Sequence, residues 1–183
     1  MAHPNQLRII GGQWRGRKIV FPPEPGVRPT PDRVRETLFN WLGQDLTGRT
    51  TLDPYAGSGA LSLESLSRGA ARAVAVDRNP RLVRALEATA ARLGTDALEA
   101  CRADALAYLA TEQRRFDVVF LDPPFDEEPW ARLLPLAARR LRPDGVIYAE
   151  ARAPVEPEAS LGLEVLRCDT AGQVHYHLLR HAS

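Results

Sequence analysis

Thr50-Thr51-Leu52-Asp53-Pro54-Tyr55-Ala56-Gly57-Ser58-Gly59-Ala60 is the stretch whose reading decides the fold. A short strand-like run ends in an acid, crosses two glycines and opens into a helical pattern from about Ser58 to Arg68. Gly57 and Gly59 remove side chains where the backbone must turn sharply and approach a ligand. Amides at the start of a helix favour an anionic or carboxylate-bearing ligand. The dinucleotide fingerprint needs a further glycine three residues on, where Ser62 stands. The acid precedes the glycines instead. Asp53 repels a pyrophosphate but can receive an ammonium, which favours a ligand with an amino-acid moiety.

Downstream, strand and helix patterns alternate. Arg72–Asp77 reads as a strand, Pro80–Leu93 as a helix, Leu98–Arg102 as a weaker strand and Asp104–Ala110 as a short helix. Phe116–Asp122 is the next strand, Trp130–Leu141 a helix, and Asp144-Gly145 a turn into the strand Val146–Glu150. This repetition predicts an α/β fold with a doubly wound, mostly parallel sheet and helices on both faces. Leu163–Cys168 and Gln173–Leu179, joined by Asp169-Thr170-Ala171-Gly172, bring the expected strands to seven, the last antiparallel.

Asp53, Asp77, Asp104 and Asp122 follow four successive strands. In a parallel sheet these carboxyl ends share one rim, where ligands bind. An acid at Asp77 suits ribose hydroxyls. Asp104, with Ala105, either lines a base edge or simply caps the helix that starts there. The fourth acid opens Asp122-Pro123-Pro124-Phe125. Two prolines end the strand and stiffen the backbone, holding a carboxylate, carbonyls and an aromatic ring together at the rim. Such a set suits a flat, amine-bearing ring such as a nucleobase, although a strand-ending turn with a core Phe has the same sequence.

The first residues read as a β-ribbon, Leu7–Ile10 and Arg17–Phe21 around the turn Gly11-Gly12-Gln13-Trp14-Arg15-Gly16. A Pro/Gly-rich connector from Pro22 to Pro31 follows, and Thr30-Pro31 reads as an N-cap with proline at the first position of a helix through Leu42. Residues 1–49 carry eight basic and four acidic groups, or +4, although the 183-residue chain is only +1. The remainder is therefore −3, so a polyanion-facing segment sits on a nearly neutral body. Residues 1–45 are read as a basic extension too small for its own core, and 46–183 as the main domain.

Cys101 and Cys168 are too few for a disulfide framework, and no signal-peptide pattern or run of transmembrane length is present, so a cytoplasmic protein is expected. His175 and His177 share a strand face without a third ligand in view, so no metal is expected. A monomer is expected.

The order Asp-x-Tyr-Ala-Gly-Ser-Gly, Asp77, Asp104 and Asp-Pro-Pro-Phe resembles the S-adenosylmethionine-dependent methyltransferases of exocyclic amines. More narrowly, Arg8–Lys18, Arg28–Leu42 and Ala171-Gly172-Gln173-Val174 resemble the RsmD family, which methylates the 2-amino group of a guanine in bacterial 16S ribosomal RNA. Tyr55, where phenylalanine is frequent, and Ser62, where glycine is frequent, are small departures. The resemblance implies that Asp53 and the backbone of Tyr55, Ala56, Gly57, Ser58 and Gly59 hold the methionine part of S-adenosylmethionine. It implies further that Asp77 holds the ribose, and Asp104 with Ala105 the adenine. Asp122, Pro123, Pro124 and Phe125 would bind the target base, while Arg8, Arg15, Arg17, Lys18, Arg28, Arg33 and Arg35 would contact RNA phosphates in the small ribosomal subunit. Two rivals remain at this stage: a DNA adenine methyltransferase with the same Asp-Pro-Pro-aromatic chemistry, and a cofactor-binding assembly factor without catalysis.

Overall fold

The computed structural model describes residues 5–124, 127 and 129–182. Seven strands form one sheet: β3 (Thr50–Asp53), β4 (Arg72–Asp77), β5 (Leu98–Arg102), β6 (Phe116–Leu121), β7 (Leu141–Ala151), β8 (Leu163–Ala171) and β9 (Val174–His181). Their spatial order is β5-β4-β3-β6-β7-β9-β8. β3 pairs parallel with both β4 and β6, and β6 pairs parallel with β7. The final strand, β9, is antiparallel to both β7 and β8, so the closing hairpin inserts its second arm beside β7 and leaves its first arm at the edge.

The chain leaves β3 toward β4 and later crosses back to lay β6 on the other side of β3. That reversal opens a crevice at the carboxyl ends of β3 and β6. Between these strands run α1 (Asp32–Leu42), α2 (Ala60–Ser67), α3 (Pro80–Leu93), α4 (Ala105–Thr111) and α5 (Trp130–Arg139). Alternation along the buried strands sends Leu52, Val74, Val119 and Ile147 against α4 and α5, and Val118, Phe120 and Tyr148 against α1 and α2. The result is a three-layer sandwich.

Several boundaries shift from the expected ones for local reasons. α2 starts at Ala60, two residues late, because Gly57 and Gly59 both hold positive φ and keep the loop out of the helix. α1 is capped from Pro31, not Thr30, and without a side-chain hydrogen bond. β7 starts early, at Leu141 opposite Phe116, and then skips to Val146 opposite Val118, so the expected Asp144-Gly145 turn lies within a bulge of the strand.

The amino-terminal strands β1 (Asn5–Arg8) and β2 (Lys18–Phe21) form a separate antiparallel ribbon. Two strands alone are marginal in water. This ribbon is held by packing Ile9, Ile19 and Phe21 against Leu63, Leu82 and Leu86 of α2 and α3. It is also pinned by Glu64, a fully buried carboxylate that accepts from the amides of Ile10 at 2.9 Å and Gly11 at 2.7 Å. The same carboxylate is paired with Arg35 at 3.3 Å and Arg68 at 2.9 Å. Gly12 completes the junction: it lies in the left-handed region, and a Cβ there would meet the Ser67 carbonyl oxygen at 1.9 Å.

Candidate functional site

Asp53 ends β3 and is only 2 % exposed. Ser62 donates to its Oδ2 at 3.0 Å, so the serine in the frequent glycine position holds this acid. Burial raises the Asp53 carboxyl to about 7 against the Ser62 hydrogen bond, and the charges of Asp77 and Glu150 push it further up. At Gly59 a Cβ would collide with Leu86 Cδ2 at 2.1 Å, and φ is +79°. Only glycine lets the loop turn so tightly against α3. α2 begins without a side-chain cap, leaving its first-turn amides directed at the rim.

Asp77, at the end of β4, organises the same loop: Oδ2 accepts from the Gly57 amide at 2.9 Å and Oδ1 from the Asn79 amide at 2.8 Å. Gly57 is therefore engaged inside the protein. Asp104 caps α4, with Oδ1 accepting from the Ala107 amide at 2.9 Å. Its capping role is observed, and its carboxylate stays exposed, with Ala105 buried beside it. Tyr55 is half-buried, and its hydroxyl is pushed up to about 12 by burial and then by Glu127 and Asp104.

Asp122 follows β6, partly open at the rim yet hemmed in by protein. Burial raises its carboxyl well above the ordinary carboxylate range, with the charges of Glu150 and then Asp53 adding to it. Pro123 is buried and Pro124 half-buried. Both line a cavity of about 100 Å³ with Trp130, Glu150 and Val155. Phe125 lies outside the described residues.

Glu150 belongs to this rim and escaped the sequence reading. It is 5 % exposed and accepts from the Tyr148 hydroxyl at 2.7 Å. Its signal was available, since Glu150 lies near the carboxyl end of a fifth parallel strand, as the four aspartates lie near the ends of theirs. Glu64 also escaped, because nothing in a helical repeat tells a buried glutamate from a solvated one.

The basic residues divide. Arg8, Arg15, Arg17, Lys18, Arg28 and Arg33 are exposed. Arg35 corrects the expectation of a phosphate contact: it is 1 % exposed and donates to the carbonyls of Thr30 and Arg8, to Glu64 and to Asp32. Its guanidinium is a cross-brace between ribbon, connector and α2. Trp14 is half-buried against the core, Phe39 is buried, and Trp41 stacks on Tyr176 with ring centroids 5.3 Å apart.

A seven-stranded sheet of this order, with an acid-and-glycine loop facing an Asp-Pro-Pro strand end across the switch point, defines a class I, Rossmann-like methyltransferase. Residues 7–180 match the family model described as "Conserved hypothetical protein 95". Ribosomal RNA small subunit methyltransferase D of Escherichia coli (strain K12) is 42% identical over 190 residues, covering 97% of this chain and 94% of its own length. The solved structure of the Escherichia coli yhhF protein superposes with a TM-score of 0.85 at 41% identity, covering 98% of this chain and 100% of that one. The fold extends to the Thermus thermophilus 16S rRNA N2 G1207 methyltransferase, solved with AdoMet and guanosine, at a TM-score of 0.73 and 24% identity over 99% of this chain and 50% of that one. The chain belongs to the ribosomal RNA small subunit methyltransferase D (RsmD) family.

Proposed function

We infer that the chain methylates the exocyclic 2-amino group of a guanine in bacterial 16S ribosomal RNA, as part of the small subunit or an assembly intermediate. The observation that carries this reading is the placement of Asp122 beside the glycine loop, at the ends of adjacent strands β6 and β3. S-adenosylmethionine, when bound, supplies a methyl carbon on a sulfonium that needs no activation by the protein. The residues fit it. Asp53 offers a buried carboxylate for an ammonium, the uncapped start of α2 offers amides for a carboxylate, and Asp77 and Asp104 stand at the next two strand ends.

The acceptor is the harder half of the reaction, because the lone pair of a guanine amine is delocalised into the ring. Asp122 and the Pro123 carbonyl would accept hydrogen bonds from that amine and aim its lone pair at the methyl carbon. Positioning of this kind contributes several kcal/mol, about 7 in well-oriented systems. A carboxylate acceptor matches the adjacent ring N–H and amino donors of guanine. After transfer the nitrogen is cationic, and its extra proton passes to Asp122. Family membership supports ribosomal RNA as the substrate, and the exposed cations of the ribbon and of the start of α1 would hold its phosphates.

Asp122→Ala should reduce tritiated methyl transfer at least a hundredfold while leaving the melting temperature and cofactor affinity near wild type. Transfer at the normal rate would remove Asp122 from the mechanism. Wild-type protein offered naked RNA, DNA and assembled small subunits, followed by mass mapping of the product, tests the substrate. Methylation of DNA alone, or of a nucleotide other than guanine, would overturn the reading.

A further inference from the structure

The turn of the ribbon and the outer face of α1 enclose a polar cavity of about 470 Å³ that the methyl-transfer site does not use. Its volume lies within the about 300–1,000 Å³ of small-molecule sites. Glu36 and Asn40 stand one turn apart on α1, Gln44 follows past its end, and all three are exposed. Arg15 and the backbone of Gly11 and Gly12 form the facing wall, with buried Arg68 at the base. Arg68 is fixed on three sides: it pairs with Glu64 at 2.9 Å, lies 4.7 Å from the centre of the Phe39 ring and donates to Gln44. A Cβ on Gly11 would come within 2.4 Å of its guanidinium, so the glycine makes room for it. Arginine only donates, so Gln44 turns its oxygen to Arg68 and its NH2 to Asn40 Oδ1. The NH2 of Asn40 then has no partner among the described residues, and it stands beside the Glu36 carboxylate. Gln44 makes these bonds from the left-handed region, at φ +64°, alone among the described non-glycine residues. Such a conformation is unfavourable for a residue with a Cβ and recurs where ligands are held.

We propose that this cavity holds an unstacked nucleotide of the RNA that flanks the methylated one: Asn40 donates to its base, Glu36 accepts from it, and Arg15 meets its phosphate. A carboxylate that only accepts, next to an NH2 that only donates, complements a nucleobase edge, where an N–H or amino group adjoins a carbonyl or ring nitrogen. The charges facing the cavity are those of Arg15, Glu36 and Arg68, and Glu64 matches that of Arg68. A bare anion would meet the Glu36 carboxylate, and an apolar side chain would leave Asn40 and Glu36 without partners. A nucleotide separates the two demands, with its negative group at Arg15 and its polar edge at α1. The cavity is also tied to the methyl-transfer rim through α2. Ser62, in the first turn of that helix, holds Asp53, and Arg68 stands about 9 Å farther along it.

The inference rests on the proposed RNA substrate, and two measurements separate its failure from the failure of that reading. In the first, nitrogen-15 NMR follows the side-chain amides of Asn40 and Gln44 as a random-sequence pool of RNA tetranucleotides is added. These signals should shift and saturate, whereas inorganic phosphate should leave them in place. Glu36→Gln combined with Asn40→Ala should weaken the binding, read at Gly12 and Gln44, about fivefold at an unchanged melting temperature. Amides that ignore RNA, or that move equally with phosphate, would overturn the proposal. If the double variant does not fold, the wild-type titration still decides. In the second, methyl transfer to assembled small subunits should show Asn40→Ala raising the KM for the subunit about tenfold, with kcat and affinity for S-adenosylmethionine near wild type. An unchanged KM, or a fall in kcat that follows a lower melting temperature, would make these residues a structural brace and refute the site. A raised KM without any RNA-induced shift would give the cavity to a ribosomal protein and equally overturn the assignment. If the amides respond to RNA while wild type methylates none, the functional reading fails and the nucleotide site stands.

Discussion

Asp53, the proposed partner of the cofactor ammonium, also carries a stability term of its own. Its ordinary value is 3.8, and burial raises it to about 7 in the folded protein. Between these values the native state holds a proton that the unfolded chain has released, so stability falls as pH rises from about 4 to about 7 and stays low above. Three units correspond to about 4 kcal/mol for a group so buried. Asp53→Asn removes this term. Urea unfolding at pH 5 and pH 8 should show wild type losing several kcal/mol and the variant much less, with the variant the more stable at pH 8. Equal losses would mean that the burial of Asp53 is not destabilising. The same substitution removes the proposed partner of the cofactor ammonium, so calorimetry should show cofactor affinity falling at least tenfold. The proposed contact with the cofactor ammonium would offset this cost to stability when ligand is bound.

Among the elements, the ribbon is joined to the sheet domain through one buried carboxylate as well as through apolar packing. Glu64 holds two ribbon amides and two arginines, all buried or partly so. Removing one partner of a buried ion pair strands the others and costs about 3–5 kcal/mol. Glu64→Ala should therefore lower stability by this amount and speed amide exchange at Ile10 and Gly11, while exchange in β4 and β6 keeps its rank order. Uniform acceleration across the sheet would show that the ribbon is not anchored through Glu64. This dependence was invisible in the sequence. The β-α alternation, the glycine loop and the four strand-end aspartates were legible because each follows from local pattern and chain direction. Glu64, Arg35 and Glu150 were not, because a long-range partner decides whether a charge is buried. The place of β9 inside the hairpin was equally hidden, since periodicity names strands but not their neighbours. The start of α2 was misjudged only because left-handed glycines at 57 and 59 delay the helix, which a count of apolar positions cannot register.

At the scale of the whole molecule, the charge asymmetry of +4 in the first 49 residues survives folding only in part. Arg35 turns inward to hold the ribbon and connector, whereas Arg15, Lys18 and Arg33 remain on the surface. The two groups of cations should separate in a salt titration of RNA affinity. Each phosphate contact contributes about 0.7–0.9 to the slope of log affinity against log salt. Arg15→Ala, Lys18→Ala and Arg33→Ala should each weaken RNA binding and flatten that slope by less than about 1, with melting temperatures unchanged to within about 1 °C. Arg35→Ala should do the reverse, because it leaves Glu64 short of one buried cation. Stability should fall by about 3–5 kcal/mol, while the salt slope of the remaining folded protein stays at the wild-type value. A lower slope for Arg35→Ala would put its guanidinium on the RNA after all. Unchanged slopes for the three surface variants would move the polyanion-binding surface off the ribbon and α1, and leave the amino-terminal charge as solvated decoration of a structural brace.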